Sequence, residues 1–117
     1  EVTNEEANER FVTEEQWESV FNYMRNKLGV DDTFLFIDPK ETLDFNPKTI
    51  RISEQLADIY QDLSDFILLY QKSSVAAKEN AVASCKLLFE SRWGFKVSLI
   101  LHALHQKLYE QPESFIY

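Results

Sequence analysis

Apolar residues first recur every three or four positions just after Thr13. Thr13 and Gln16 are spaced as a capping box, in which the threonine hydroxyl accepts from a free backbone amide and the glutamine reaches back to the threonine backbone. Gly29 follows the last apolar residue, and glycine is suited to ending a helix. The pattern therefore predicts a helix from Thr13 to Gly29 with one apolar face: Trp17, Val20, Phe21, Met24 and Leu28.

Three further segments have helical spacing. The second is predicted to begin at Ser53 as its cap and run to about Gln71, with a buried stripe of Leu56, Ile59, Tyr60, Leu63, Phe66, Ile67 and Tyr70. The third follows Ser73 and Ser74, with a stripe of Val75, Ala81, Val82, Cys85, Leu88 and Phe89 that continues to Arg92. The fourth runs from Phe95 to about Glu110, with Val97, Ile100, Leu101, Leu104 and Leu108 on one face. Gly94 permits a break between the third and fourth helices, which are either separate or one continuous helix.

Two short β-prone runs, residues 33–37 and 49–52, lie between the first two helices. They either pair as a small ribbon or lie as extended covers over the helical core. We therefore expect an all-α, mainly helical chain: a three- or four-helix bundle with an irregular insert between helices one and two, which contains two short strands if the two runs pair. The polar, acidic residues 1–10 are predicted to be a flexible lead-in, and residues 11–117 a single helical domain that could be the C-terminal part of a longer protein.

The composition narrows the classes of partner and compartment. The formal net charge of −8 opposes binding to nucleic acid phosphates and to anionic membranes. No run approaches the ~18 apolar residues of a transmembrane helix. The single cysteine, Cys85, cannot form an internal disulfide, and the lack of disulfides is typical of a cytoplasmic protein. Cys85 lies on an apolar stripe, so we expect it to be a buried core thiol.

Three stretches of the sequence resemble a known family: LADIYQDLSDF at 56–66, FESRWG at 89–94 and LHALH at 101–105. They are similar to the bacterial uncharacterised family called domain of unknown function 5063, over about residues 12–110. The resemblance implies a small helical bacterial protein, with no known activity, cofactor or catalytic residue to transfer. It also implies further helices before this region, which would suit three leucines that lie off the main stripes: Leu68, Leu69 and Leu87. Family members often have histidine where this chain has Arg92, which puts a metal-ligand role at that position in doubt.

Two groups of residues are candidates for a metal site. Asp58, Asp62 and Asp65 are spaced four and three residues apart, so their carboxylates share one helical face and could bind a divalent cation or supply a general acid. The alternative is a solvated or ion-paired polar flank. His102 and His105 are also three apart, but the usual Glu-x-x-His pattern of di-metal bundles is absent, and a structural or surface role is favoured.

Arg92 lies at a core-facing position, where a buried guanidinium needs a partner. We predict an ion pair between Arg92 and Asp62 that fixes how the helices pack. No phosphate-binding loop, nucleophile elbow or metal-protease sequence is present. No catalytic residue and no cofactor are therefore assigned, which favours a non-enzymatic role without deciding it. The leading hypothesis is a protein-interaction or regulatory module, with a protein partner or self-association. The alternative is a metal-binding or metal-dependent hydrolytic protein that uses the carboxylates and histidines.

Overall fold

The chain folds as helices around one long central helix. A computed structural model describes residues 10–38, 40 and 46–110. Its elements are α1 (Glu14–Leu28), a 3₁₀ turn (Gly29–Asp32), β1 (Thr33–Phe36), β2 (Lys48–Arg51), α2 (Ile52–Tyr70), α3 (Val75–Leu88), a π-helical turn (Phe89–Trp93) and α4 (Gly94–Tyr109). The predicted mainly helical fold with a two-stranded insert is confirmed. None of the described helices is long and apolar enough to cross a membrane.

Both ends of α1 follow from local sequence. The Thr13 hydroxyl accepts from the Gln16 amide at 3.1 Å, and the Gln16 side chain accepts from the Thr13 amide at 2.9 Å, so the predicted capping box is confirmed. Gly29 has φ of +55°, a conformation that side chains with a Cβ rarely adopt, and it ends the helix.

The insert is an antiparallel ribbon, and the alternative of unpaired extended covers is wrong. Thr33 pairs with Arg51, and Phe36 pairs with Lys48. The ribbon is held to the helices by its aromatic residues: Phe34 packs against a core cluster, and the Phe36 ring lies edge-on to Phe95 of α4 with centroids 6.0 Å apart. These contacts supply the support that two short strands lack by themselves.

The start of α2 differs from the prediction. Ser53 was predicted to cap the helix, but it lies inside it and is buried, and the residue at the cap position, Arg51, makes no capping side-chain bond. The carboxylate of Asp32 takes that role from the preceding turn. It accepts from the Ser53 amide at 2.7 Å and from the Ser53 hydroxyl at 2.6 Å, and Arg51 Nη1 lies 3.2 Å away. A residue twenty-one positions upstream therefore satisfies a free amide of the first turn.

Helices α3 and α4 form one continuous helical run through the π-helical turn. The Gly94 amide donates to the Phe89 carbonyl five residues earlier. A Cβ at Gly94 would lie 2.5 Å from that carbonyl oxygen and 2.8 Å from the Phe89 ring. Gly94 therefore allows the widened turn to close, and it joins the two helices rather than breaking them.

Small residues determine which faces of α3 and α4 are buried. Ala77 and Ala81 of α3 pack against Leu69 of α2, and Ala103 of α4 packs in a second cluster with Ile52 and Ile100. Short side chains let the helix backbones approach closely. The predicted stripes were therefore partly wrong, since several of their members are exposed: Val75, Val82, Phe89, Leu101 and Leu108. Leu69, predicted to need a missing partner, is buried here, whereas Leu68 and Leu87 are exposed.

The side-chain amide of Asn80 in α3 is a buried polar group with an unsatisfied donor. The residue is buried, and its Nδ2 has no hydrogen-bond partner within the described part of the chain. A buried donor without an acceptor destabilises the folded state.

Candidate functional site

A row of three carboxylates, Asp58, Asp62 and Asp65 (the acid row), runs along the side of α2 that faces its neighbours. Asp58 accepts from the Trp17 indole nitrogen of α1 at 2.8 Å and lies 3.3 Å from Lys96 Nζ of α4. This carboxylate therefore ties α1 and α4 to the central helix.

Asp62 is the most deeply placed member of the acid row, and its side chain is 0% exposed. Arg92 of the π-helical turn reaches it with two nitrogens, Nε at 3.1 Å and Nη2 at 3.2 Å, and Arg10 Nη2 lies 3.7 Å away. Burial raises the pKa of Asp62, and the two arginines only partly offset that rise. The geometry places Arg92 and Asp62 together in a forked pair.

Asp65 holds the segment that leads into α1. It accepts from the backbone amides of Phe11 and Val12 at 2.8 and 2.9 Å, and from Arg10 Nε at 2.6 Å. Arg10 belongs to the predicted lead-in, and its guanidinium lies between two carboxylates of α2. Residues 1–9 of that predicted lead-in lie outside the described residues.

The histidines do not join the acid row in a metal site. His105 contacts Glu110 at 2.9 Å near the end of α4, and His102 is exposed. Within residues 10–38, 40 and 46–110, no group of three or more His, Cys, Asp or Glu side chains is arranged to hold a metal ion. Each carboxylate of the acid row already accepts hydrogen bonds from, or pairs with, basic or N–H groups of the chain itself. The acid row therefore connects α2 to the elements that pack around it.

A cavity of about 210 Å³ opens between α2 and α3 beside the acid row. Arg10, Asp62 and Asp65 form a polar part of its lining, and the rest of the lining is mostly apolar. Cys85 lines it and is partly buried rather than fully buried as predicted. Burial, and secondarily the charge of Asp62, raise the pKa of the Cys85 thiol, so the neutral form is favoured and a nucleophilic role is disfavoured.

The opposite side of α2 carries an exposed apolar stripe. Its members are Tyr60, Leu63, Ile67 and Tyr70 (the outward stripe), spaced three, four and three residues apart. Tyr60, Ile67 and Tyr70 are 38%, 51% and 44% exposed, and Leu63 is half-buried. The prediction that these residues are buried with Leu56 and Ile59 is wrong for the three exposed ones, because α1, α3 and α4 pack on the other sides of α2.

The end of the outward stripe at Tyr70 is held in place. Lys78 Nζ of α3 donates to the Tyr70 carbonyl at 2.6 Å and lies 4.6 Å from the centre of its ring. Phe66 packs against the same ring, with centroids 5.7 Å apart. An exposed tyrosine fixed in this way loses little side-chain freedom when a partner binds.

Two functional features could not be read from the sequence. The capping role of Asp32 could not be predicted, because this residue and the start of α2 become neighbours only when the ribbon forms. The outward stripe was visible as heptad spacing, but the same spacing is expected of a core-facing helix, so its exposure was missed.

Comparisons with known proteins give a family of unknown function and one similar solved structure. The family model described as "Domain of unknown function (DUF5063)" matches residues 1–110. The crystal structure of protein BF1032 from Bacteroides fragilis is similar over 95% of this chain, with a TM-score of 0.78 and 31% identity. The chain spans 63% of the length of that protein. No curated protein matches. The resemblance suggested by the sequence is thus confirmed, and the chain belongs to the DUF5063 family of domains of unknown function.

Proposed function

We propose that the chain is a non-enzymatic protein-interaction domain and that the outward stripe of α2 is its binding surface. The observation that carries the proposal is the distribution of side chains on α2. Its carboxylates Asp62 and Asp65 are buried, whereas Ile67 and Tyr70 on the other side are exposed. Water-soluble helices normally place charge outward and apolar residues inward. The reversed arrangement is explained if the outward side is covered in the assembled state.

The spacing of the outward stripe indicates which kind of surface would cover it. Steps of three and four residues keep apolar side chains in line along a helix, and such a line packs against the corresponding line of another helix. The binding partner is therefore a helix with an apolar stripe of its own.

The composition suits the same interpretation. The single cysteine is compatible with a reducing compartment, and the proposal places the domain in the cytoplasm. A metal-dependent activity is not proposed, because the acid row is engaged by Arg10, Arg92 and Lys96.

Photo-crosslinking from the stripe tests the proposal. Ile67 is replaced by the photoreactive residue p-benzoylphenylalanine, and the protein is irradiated in its native host. Val30, which is 95% exposed but lies in the turn before β1, receives the same replacement as the matched control. The proposal predicts a discrete polypeptide adduct from position 67 and none from position 30. An Ile67 variant that is folded and gives no polypeptide adduct would refute the proposed function.

A further inference from the structure

We infer that the outward stripe binds the same stripe of a second copy of this chain, with the two α2 helices antiparallel across a two-fold axis. This inference rests on the proposed function and names its partner.

The stripe reads the same in both directions. Tyrosines stand at its ends, aliphatic residues stand inside, and the steps of three, four and three residues are symmetric. The pair Tyr60 and Tyr70 and the pair Leu63 and Ile67 both have Asp65 at their midpoint. A two-fold axis at the level of Asp65 therefore places Tyr60 against Tyr70 of the second copy, and Leu63 against its Ile67. A two-fold interface uses one patch on both copies, so it requires a surface that is complementary to itself.

Charges favour the antiparallel arrangement. Between Tyr60 and Tyr70, the charged residues of α2 are Asp62 and Asp65, and both are buried and paired within the chain. The stripe therefore presents no like charges to a second copy. Exposed Glu15 of α1 lines the same surface depression as Tyr60, and Lys78 and Glu79 of α3 line one with Tyr70. Antiparallel packing separates the two Glu15 carboxylates and places each near Lys78 of the other copy, whereas parallel packing would bring the two Glu15 carboxylates together.

The exposed area indicates how large the dimer interface is. Large side chains bury roughly 150–250 Å² each when fully covered, so the exposed fractions here correspond to about 300–400 Å² per copy. The total for two copies is on the order of 700 Å², below the ~1,200 Å² of standard interfaces, so we expect a weak, transient dimer. A dimer of this strength responds to local concentration.

Sedimentation equilibrium measures this association directly. The wild-type chain is followed from about 5 to about 500 µM, a range in which weak association is detected. We expect the mass to rise from monomer towards dimer, Ile67→Lys and Leu63→Glu each to remain monomeric, and Val30→Glu to behave as wild type. Circular dichroism establishes that each variant is folded. A wild-type chain that remains monomeric throughout the range would overturn the inference.

A mixture of the two variants tests the register. In the antiparallel dimer the glutamate introduced by Leu63→Glu faces the lysine introduced by Ile67→Lys, while the other half of the interface keeps its apolar contact. Mixing the two variants in equal amounts should restore at least half of the wild-type dimer at the same total concentration, and no restoration would overturn the antiparallel register. If Leu63→Glu does not fold, Tyr60→Glu with Tyr70→Lys tests the same register. A monomeric wild type together with a crosslink from position 67 to a different polypeptide would end this inference and leave the proposed function standing.

Discussion

Replacing Arg92 with methionine should destabilise the fold far more than neutralising its partner Asp62. The two side chains form a forked ion pair at 3.1 and 3.2 Å, but their surroundings differ. The Asp62 side chain is 0% exposed and the Arg92 side chain is 41% exposed. Arg92→Met leaves a carboxylate in the protein interior, whereas Asp62→Asn leaves a guanidinium that water can solvate.

The magnitudes follow from that asymmetry. Removing one partner of a buried pair costs about 3–5 kcal/mol, and the lower end applies because Arg10 still lies 3.7 Å from Asp62. We therefore expect Arg92→Met to lower the free energy of unfolding by about 3 kcal/mol. Asp62→Asn should change it by no more than about 1 kcal/mol, because losing the ion pair is offset by removing a charge whose burial disfavours folding. The double variant should be more stable than Arg92→Met alone, because it contains no stranded charge.

Urea denaturation of the four proteins at neutral pH provides these free energies. Lys86→Met, a change at an exposed lysine near the end of α3, controls for the loss of a positive charge in general. Equal losses in the two single variants, or a double variant less stable than Arg92→Met, would refute the reasoning about burial.

Further predictions concern the junctions of the fold. Gly94→Ala should lower the free energy of unfolding, measured by urea denaturation, by about 2–3 kcal/mol, although alanine favours helices. The reason is that the Cβ would lie 2.5 Å from the Phe89 carbonyl oxygen, and unchanged stability would contradict that packing. Asp32→Ala should lower the free energy of unfolding by about 3 kcal/mol in the same assay, because it removes the hydrogen bonds that cap α2. A loss below about 1 kcal/mol would show that the start of the helix does not depend on these bonds. Asn80→Leu should raise the melting temperature in calorimetry, because it removes a buried donor without a partner, and a lower melting temperature would indicate that the amide is bonded. The raised pKa of Asp62 means that the folded chain binds a proton there at higher pH than the unfolded chain, so its charge disfavours folding at neutral pH. As the pH falls through that raised pKa to the ordinary 3.8, the stability of wild type relative to Asp62→Asn should increase in urea titrations, and a decrease would contradict the direction of the shift.

Local signals in the sequence were sufficient for part of the fold. The capping box of Thr13 and Gln16 and the glycine at position 29 depend on neighbouring residues alone, and they correctly placed α1. Tertiary contacts decided the rest. The start of α2 is satisfied by Asp32, which is distant in sequence, so local capping rules pointed to Ser53 instead.

The candidate site shows the same division. Helical spacing put the carboxylates of the acid row on one face, but it could not tell which donors would meet them. The heptad spacing of the outward stripe led us to predict that it lies in the core. Periodicity shows that one face of a helix is apolar, but it does not show which part of the protein covers that face. Ala77 and Ala81 decided that question, since small residues allow α3 to pack closely beside Leu69 and leave Ile67 outside.

The most direct test of the account is the accessibility of position 67 at increasing protein concentration. Ile67→Cys, in a chain that also carries Cys85→Ala, is labelled with a maleimide over about 5–500 µM protein, and Val30→Cys in the same background is the control. If the outward stripe is an interface between two copies, the labelling rate at position 67 falls as the dimer forms, while the rate at position 30 stays constant. A rate at position 67 that does not depend on protein concentration would contradict the account.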